Sequence, residues 1–286
     1  MTGLRAIYII WYRDILRFWH DRMRMLGSIT FPLLFLVIFG SGLSSSMQFT
    51  QLSMDEFDIV VAGGLSLPGD SVFIKMPIDY LDFMFPGIIS MSVLTGALMG
   101  GASLVWDREF GFLKEVLVAP VNRVYVATGK VLGAATIALI PGLIIMIFAP
   151  ILGISFSIAT VFKLLPLMFL LAVSLSSLGI LLATRIRSME AFQMIMQLMM
   201  MPMIFLSGVF FPLQGLPSWL NFLTKINPAS YGVAPIREVV LGKEISDPLG
   251  IKLFGHTMTM WENIAVLAIF GAMMITLAMW SFSHQE

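Results

Sequence analysis

The chain has 286 residues, 58% hydrophobic and only 12% charged, with a mean hydropathy of +0.92. Soluble domains are about 25% charged, so this sequence lacks the polar surface to coat a globule of its size and belongs with membrane-embedded helical proteins. Basic and acidic residues number 17 each, which gives no case for nucleic acid, and the absence of cysteine excludes disulfides, thiolate metal sites and a cysteine nucleophile.

In residues 4–24, Leu4, Tyr8, Trp11, Ile15, Phe18 and Trp19 recur at spacings near three and four, while Arg13, Arg17, His20, Asp21 and Arg24 occupy the other side. The pattern predicts a helix lying in the membrane plane, aromatics at headgroup level and arginines on water or lipid phosphate. A solvated flank of the first span is the alternative. The length and charge of the segment argue against a signal peptide, although the Gly/Ser-rich run 40–46 keeps that reading open.

Six apolar stretches follow, at residues 26–43, 83–106, 131–151, 164–183, 191–211 and 264–282. Each can cross about 30 Å of hydrocarbon at about 1.5 Å per residue. None carries an ionisable residue in its middle, where one costs about 2.5–3.5 kcal/mol. Eleven of the 17 Lys and Arg residues fall at the amino-terminal segment, 107–130 and 185–187, against six in the alternate loops. The positive-inside rule therefore predicts both termini in the cytoplasm and the acidic 48–82 loop outside. In the outer segment 212–262, residues 218–227 lie between Pro217 and Pro228. That length spans about 15 Å, half a bilayer, and predicts a re-entrant or interfacial helix; an amphipathic surface loop is the alternative. The fold class expected is an all-α membrane protein: one domain over 1–286, with an interfacial helix (1–24), spans one and two (25–106), a cytoplasmic segment (107–130) and spans three to six (131–286).

Between the second and third stretches lies Trp106-Asp107-Arg108-Glu109-Phe110-Gly111-Phe112-Leu113-Lys114-Glu115-Val116-Leu117-Val118-Ala119-Pro120. A charged amphipathic segment flanked by spans must project into water, and it suits docking into a groove on a partner. Gly111 would admit another backbone closely, and Pro120 ends the segment. A solvated connecting loop is the competing reading.

Catalytic constellations are missing. His20, His256 and His284 fall on different segments, and no Walker-type Gly-rich loop or paired intramembrane aspartates occur. Ser207-Gly208 has no histidine in any span to serve as base. The absence of ionisable groups in the spans argues against an ion-coupled carrier, and less strongly against a channel built on backbone carbonyls. In the second stretch, Gly96 and Gly100 form a G-x-x-x-G for close helix packing, within one subunit or between two. The fifth is dense in methionine, and Gln193, Met196, Gln197 and Met200 form a candidate substrate-facing set; ordinary packing in a Met-rich chain explains it equally.

The 106–123 stretch, with Gly129-Lys130 after it, resembles the cytoplasmic loop of ABC-2 type exporter permeases. Leu-Ser-Gly-Val-Phe-Phe-Pro-Leu from Leu206, with Leu216-Pro217, Trp219, Asn227-Pro228 and Tyr231, is similar to that family's second signature. Asn122 stands where serine is commoner, and Phe112-Leu113-Lys114 departs from the small, acidic version of other branches; both details lean toward the multidrug, daunorubicin-exporter-like branch. The resemblance implies a permease subunit with no ATPase chemistry or cofactor of its own. It would pair with a second permease, identical or related, in the inner membrane of a prokaryote, and each would hold an ABC ATPase subunit that binds ATP and Mg. Contacts to that ATPase would come from Asp107, Arg108, Glu109, Phe110, Gly111, Phe112, Leu113, Glu115, Pro120 and Arg123. Drugs, lipids and lipid-linked polysaccharides are all compatible cargo.

Overall fold

The structure is a computed structural model that describes residues 3–44, 80–112, 122–154, 157–214, 216–253 and 256–284. The expected outer loop, apart from its last residues, lies outside them, as do Leu113, Glu115 and Pro120. In chain order the elements are α1 (Gly3–His20), α2 (Arg22–Ser44), α3 (Tyr80–Met99), α4 (Ala102–Glu109), α5 (Arg123–Phe148), α6 (Ile158–Arg185), α7 (Met189–Phe205), α8 (Ser218–Ile226), α9 (Pro228–Leu241), α10 (Lys243–Ser246) and α11 (Met260–Ser283). A two-stranded antiparallel ribbon, β1 (Lys252–Leu253) with β2 (His256–Thr257), precedes α11.

Helix α3 is apolar all round and therefore buried all round. Phe83, Met84, Phe85, Ile88, Ile89, Leu94 and Leu98 are enclosed by α2, α5, α6 and α9. Gly96 meets Ala138 of α5 and Gly100 backs onto Ala134, so the G-x-x-x-G packs within the chain. The expected second span is interrupted: a turn at Gly100-Gly101 separates α3 from α4. Close packing explains the glycine, because a Cβ on Gly101 would collide with the Gly179 carbonyl of α6. Helix α11 lies on α6, where Gly271 faces Ser174, Ser174 Oγ donates to the Leu267 carbonyl at 3.2 Å, and Thr184 and Ser281 share a hydroxyl pair at 2.7 Å.

Four stretches among the described residues are long and apolar enough to cross a membrane: Leu81–Glu109, Arg123–Ile151, Ile158–Arg185 and Met260–Ser283. The first and fifth expected spans appear as shorter apolar helices, Met25–Ile38 and Met189–Phe205. Helix α7 stops before the expected 211 because Gly208 (φ +81) turns the chain back. Beyond it, α8 forms between its flanking prolines as expected, with Trp219, Phe222 and Ile226 exposed. Helix α9 was not among the expected elements. Asn227 starts that helix by accepting from the Ala229 N–H at 3.1 Å, and it donates to the Met203 carbonyl at 2.8 Å.

The interfacial helix also differs from expectation. Ala6, Ile10, Asp14 and Phe18 form its buried stripe, seated on Gly129 and Gly133 of α5, and Trp11 Nε1 donates to Thr136 Oγ1 at 3.0 Å. Leu4, Tyr8 and Trp19 of the predicted apolar face remain exposed.

Candidate functional site

The bundle has two distinct ends. One gathers α1, α4, the start of α5 and the carboxy-terminal ends of α6 and α11. The other gathers the start of α3, the end of α7, α8, α9 and the ribbon.

At the first end, α4 runs into a shoulder. The Phe110 N–H reaches the Trp106 carbonyl at 3.0 Å and the Gly111 N–H reaches that of Arg108 at 3.2 Å. Gly111 then adopts φ +78, a left-handed conformation that suits glycine and closes the helix. Among the described residues no atom crowds its Cβ direction. Glu109 is exposed, and Phe110 and Phe112 are 73% and 38% exposed.

Asp107 is a different matter. It was grouped with the solvent-facing contacts, yet it is only 4% exposed. It accepts from Lys130 Nζ at 2.6 Å, Arg13 Nη2 at 2.6 Å and Arg17 Nη1 at 3.2 Å. Lys130, 2% exposed, also reaches the buried Asp14 at 3.0 Å, and Arg13 reaches Asp14 at 2.9 Å. Ser103 Oγ takes a further bond from Lys130 at 3.3 Å. Three cations and two carboxylates thus join α1, α4 and α5 through hydrogen-bonded pairs. Lys130, Asp14 and Asp107 are its buried members, and truncating one partner of a buried ion pair costs about 3–5 kcal/mol. Asp14 was not singled out from sequence, and Lys130 entered only with Gly129 at the end of the family motif. The usable signals were Asp14 in register with Ala6, Ile10 and Phe18, and Lys130 beside the small Gly129 that lets α1 approach.

The two other basic residues of the segment grip helix ends. Arg108 Nη1 donates to the carbonyls of Ile186 at 2.8 Å and Ala183 at 3.3 Å, and Nη2 to Thr184 at 3.3 Å. Arg123 Nη1 donates to the Ser283 carbonyl at 3.2 Å. A cation at a helix carboxy terminus is favoured by the orphan carbonyls and the dipole. Arg108 and Arg123 therefore tie the charged stretch to α6 and α11. Among its described residues, Glu109, Phe110 and Phe112 are outward-facing.

A groove of about 510 Å³ runs between α1 and α4, lined by Leu16, Arg17, His20, Trp106, Phe110 and Phe112 among others. Arg13 lies over the Phe112 ring and Arg17 over Trp106, each at 4.5 Å. Aromatic walls below a cationic rim can accept an apolar side chain from a partner and an acidic one beside it. On α7, Gln193 and Gln197 are exposed, Met200 is partly covered, and Met196 is fully buried in the core, so the candidate substrate-facing set does not share one surface. No cluster of metal-ligating side chains occurs among the described residues.

Over 164 residues the chain is 33% identical to the transport permease ycf38 of Cyanophora paradoxa, a match covering 56% of each protein, so the alignment spans just over half of that relative. It is 28% identical over 240 residues to ycf38 of Porphyra purpurea, covering 82% of this chain and 74% of the relative. It is 30% identical over 179 residues to the inner membrane transport permease YadH of Escherichia coli K12, covering 62% and 68% respectively. Residues 5–241 match the ABC-2 type transporter family, from the interfacial helix through α9. The chain is a membrane protein and belongs to the ABC-2 type transporter family.

Proposed function

We propose that this chain is the transmembrane subunit of an ATP-driven exporter that moves a hydrophobic or amphipathic substrate outward across the cytoplasmic membrane. A separate ABC ATPase supplies the energy and docks on the shoulder at Glu109, Phe110, Gly111 and Phe112. In this reading the chain crosses the membrane six times, α2 and α7 completing the set, with both termini in the cytoplasm. It pairs with a second permease, identical or related.

The observation that carries the proposal is the construction of the shoulder. Its outward side chains are exposed, while its base is fixed by the Asp107–Lys130–Asp14 cluster, by Arg108 on α6 and by Arg123 on α11. A push on Glu109 or Phe110 would therefore reach α1, α5, α6 and α11 through short charged contacts. Packed elements linked in this way move as rigid bodies rather than deforming. ATP closing the ATPase pair would draw the shoulder inward, and release would return it.

The test is co-purification and coupled turnover. Glu109→Lys and Gly111→Trp should each reduce recovery of the ATPase with the permease by about tenfold, the loss of roughly 1.4 kcal/mol of contact energy. The permease alone in liposomes should hydrolyse no ATP. Normal recovery and normal substrate-stimulated hydrolysis in both variants would remove the coupling assignment. Solute flux through the permease alone would identify a channel or passive lipid transporter instead. A lipid-linked polysaccharide remains the competing cargo, since the same coupling serves either.

A further inference from the structure

At the opposite end, a cavity of about 20 Å³ is bounded by Ser207, Ser230, Arg237, Glu238, Asp247 and Asn263, among others. Arg237 is 3% exposed and forms no ion pair. One of its Nη atoms donates to the Gly208 carbonyl and its guanidinium lies 4.4 Å over the Phe83 ring, but its buried Nε has no partner. On the facing wall, Asn263 is 2% exposed. Its amide nitrogen donates to the carbonyls of Thr259 at 2.9 Å and Met258 at 3.3 Å, which fixes the amide orientation and leaves Oδ1 unpaired. Ser207 and Ser230 spend their protons on the carbonyls of Ile204 and Leu206, at 2.7 Å and 2.9 Å.

The lining thus sets the buried, unpaired Arg237 Nε–H against a larger number of unspent acceptors: Asn263 Oδ1, the oxygens of Ser207, Ser230 and Ser246, and two carboxylates. A bare anion would satisfy the arginine and oppose everything else. A hydroxyl satisfies both walls, accepting from Nε–H and donating to Oδ1. The free volume admits one oxygen-sized group. A buried polar atom left unpaired costs about 1–3 kcal/mol, so two of them on one cavity mark a site shaped for an occupant.

We propose that Arg237 and Asn263 form a recognition site for a hydroxyl of a polar headgroup, with water as the resting occupant. The proposal rests on the reading of this chain as a carrier of amphipathic molecules and narrows it to hydroxylated ones. The headgroup can belong to a resident lipid or to the cargo.

The purified protein in phosphatidylcholine nanodiscs tests this when phosphatidylglycerol is added. Phosphatidylethanol, which has the same phosphodiester but no headgroup hydroxyl, is the control. Phosphatidylglycerol should raise Tm by about 3 °C and phosphatidylethanol should not. Asn263→Asp gives Arg237 an internal carboxylate and should abolish the shift. Ala234→Leu fills the cavity without touching either polar group and should abolish it too. Equal shifts with both lipids, or no shift with either, would overturn the proposal, the latter leaving a structural water only. These measurements need no ATP, so a failure of the exporter reading leaves them intact. ATP-driven movement of fluorescent phosphatidylglycerol, lost in Asn263→Asp, assigns the headgroup to cargo; its absence with the shift retained assigns it to resident lipid, and either result upholds the site.

Discussion

Lys130 holds two carboxylates that have no water to turn to. Lys130→Met should lower the Tm of the purified protein by roughly 10 °C, from the roughly 3–5 kcal/mol cost of breaking a buried ion pair. Adding Asp14→Asn should recover part of that loss, because the two residues share one network and their effects do not add. Equal and additive losses would mean that the pairs are independent of one another. Glu238 behaves in the opposite sense. Burial first, then the neighbouring Asp247, pushes its carboxyl above the ordinary carboxylate range, with Lys243 opposing. The folded protein therefore binds this proton more tightly than the unfolded chain, and stability falls as pH rises from the ordinary range through the raised value. Glu238→Gln should raise Tm at pH 7 and converge with the wild type near pH 4. A pH-independent difference between the two would rule out this titration.

Individual helices show what kind of information the sequence carried. The amphipathic α1, the apolar α3, α5, α6 and α11 and the proline-bracketed α8 were readable, because periodicity and composition report directly on burial. The Gly100-Gly101 turn was not, since only contact with Gly179 explains why the backbone must come so near. Gly101→Val should consequently prevent assembly of α4 against α6, read as loss of folded protein in size-exclusion chromatography. Asp107 was misassigned for a related reason. Its neighbours Arg108 and Glu109 are charged, so the local pattern looked solvated, whereas its partners sit 94 and 23 residues away. Arg237 escaped notice because a single basic residue in a long polar segment looks like surface. The exposure of Glu109, Phe110 and Phe112 was legible because apolar side chains flanked by charge are a local feature.

Across the whole molecule, the basic end and the α8–α9 end are separated by the length of the bundle. The lack of cysteine makes this separation easy to probe. Trp219→Cys should react with a membrane-impermeant maleimide in intact cells, and Arg187→Cys only after permeabilisation. Labelling of both from one side would contradict the proposed six crossings and the side assigned to the ATPase. Arg187 and Trp219 are both exposed, so access is limited by the bilayer and not by packing.

The Asp14–Lys130 pair also sets an order of events during synthesis. The two residues are 116 positions apart. At about 5–20 residues per second, a ribosome needs roughly 6–23 s to travel from one to the other. Throughout that interval the nascent amino-terminal helix has an aspartate on its inward stripe and no lysine to meet it. It can seat on α5 only once Lys130 and the helix that carries it have been made.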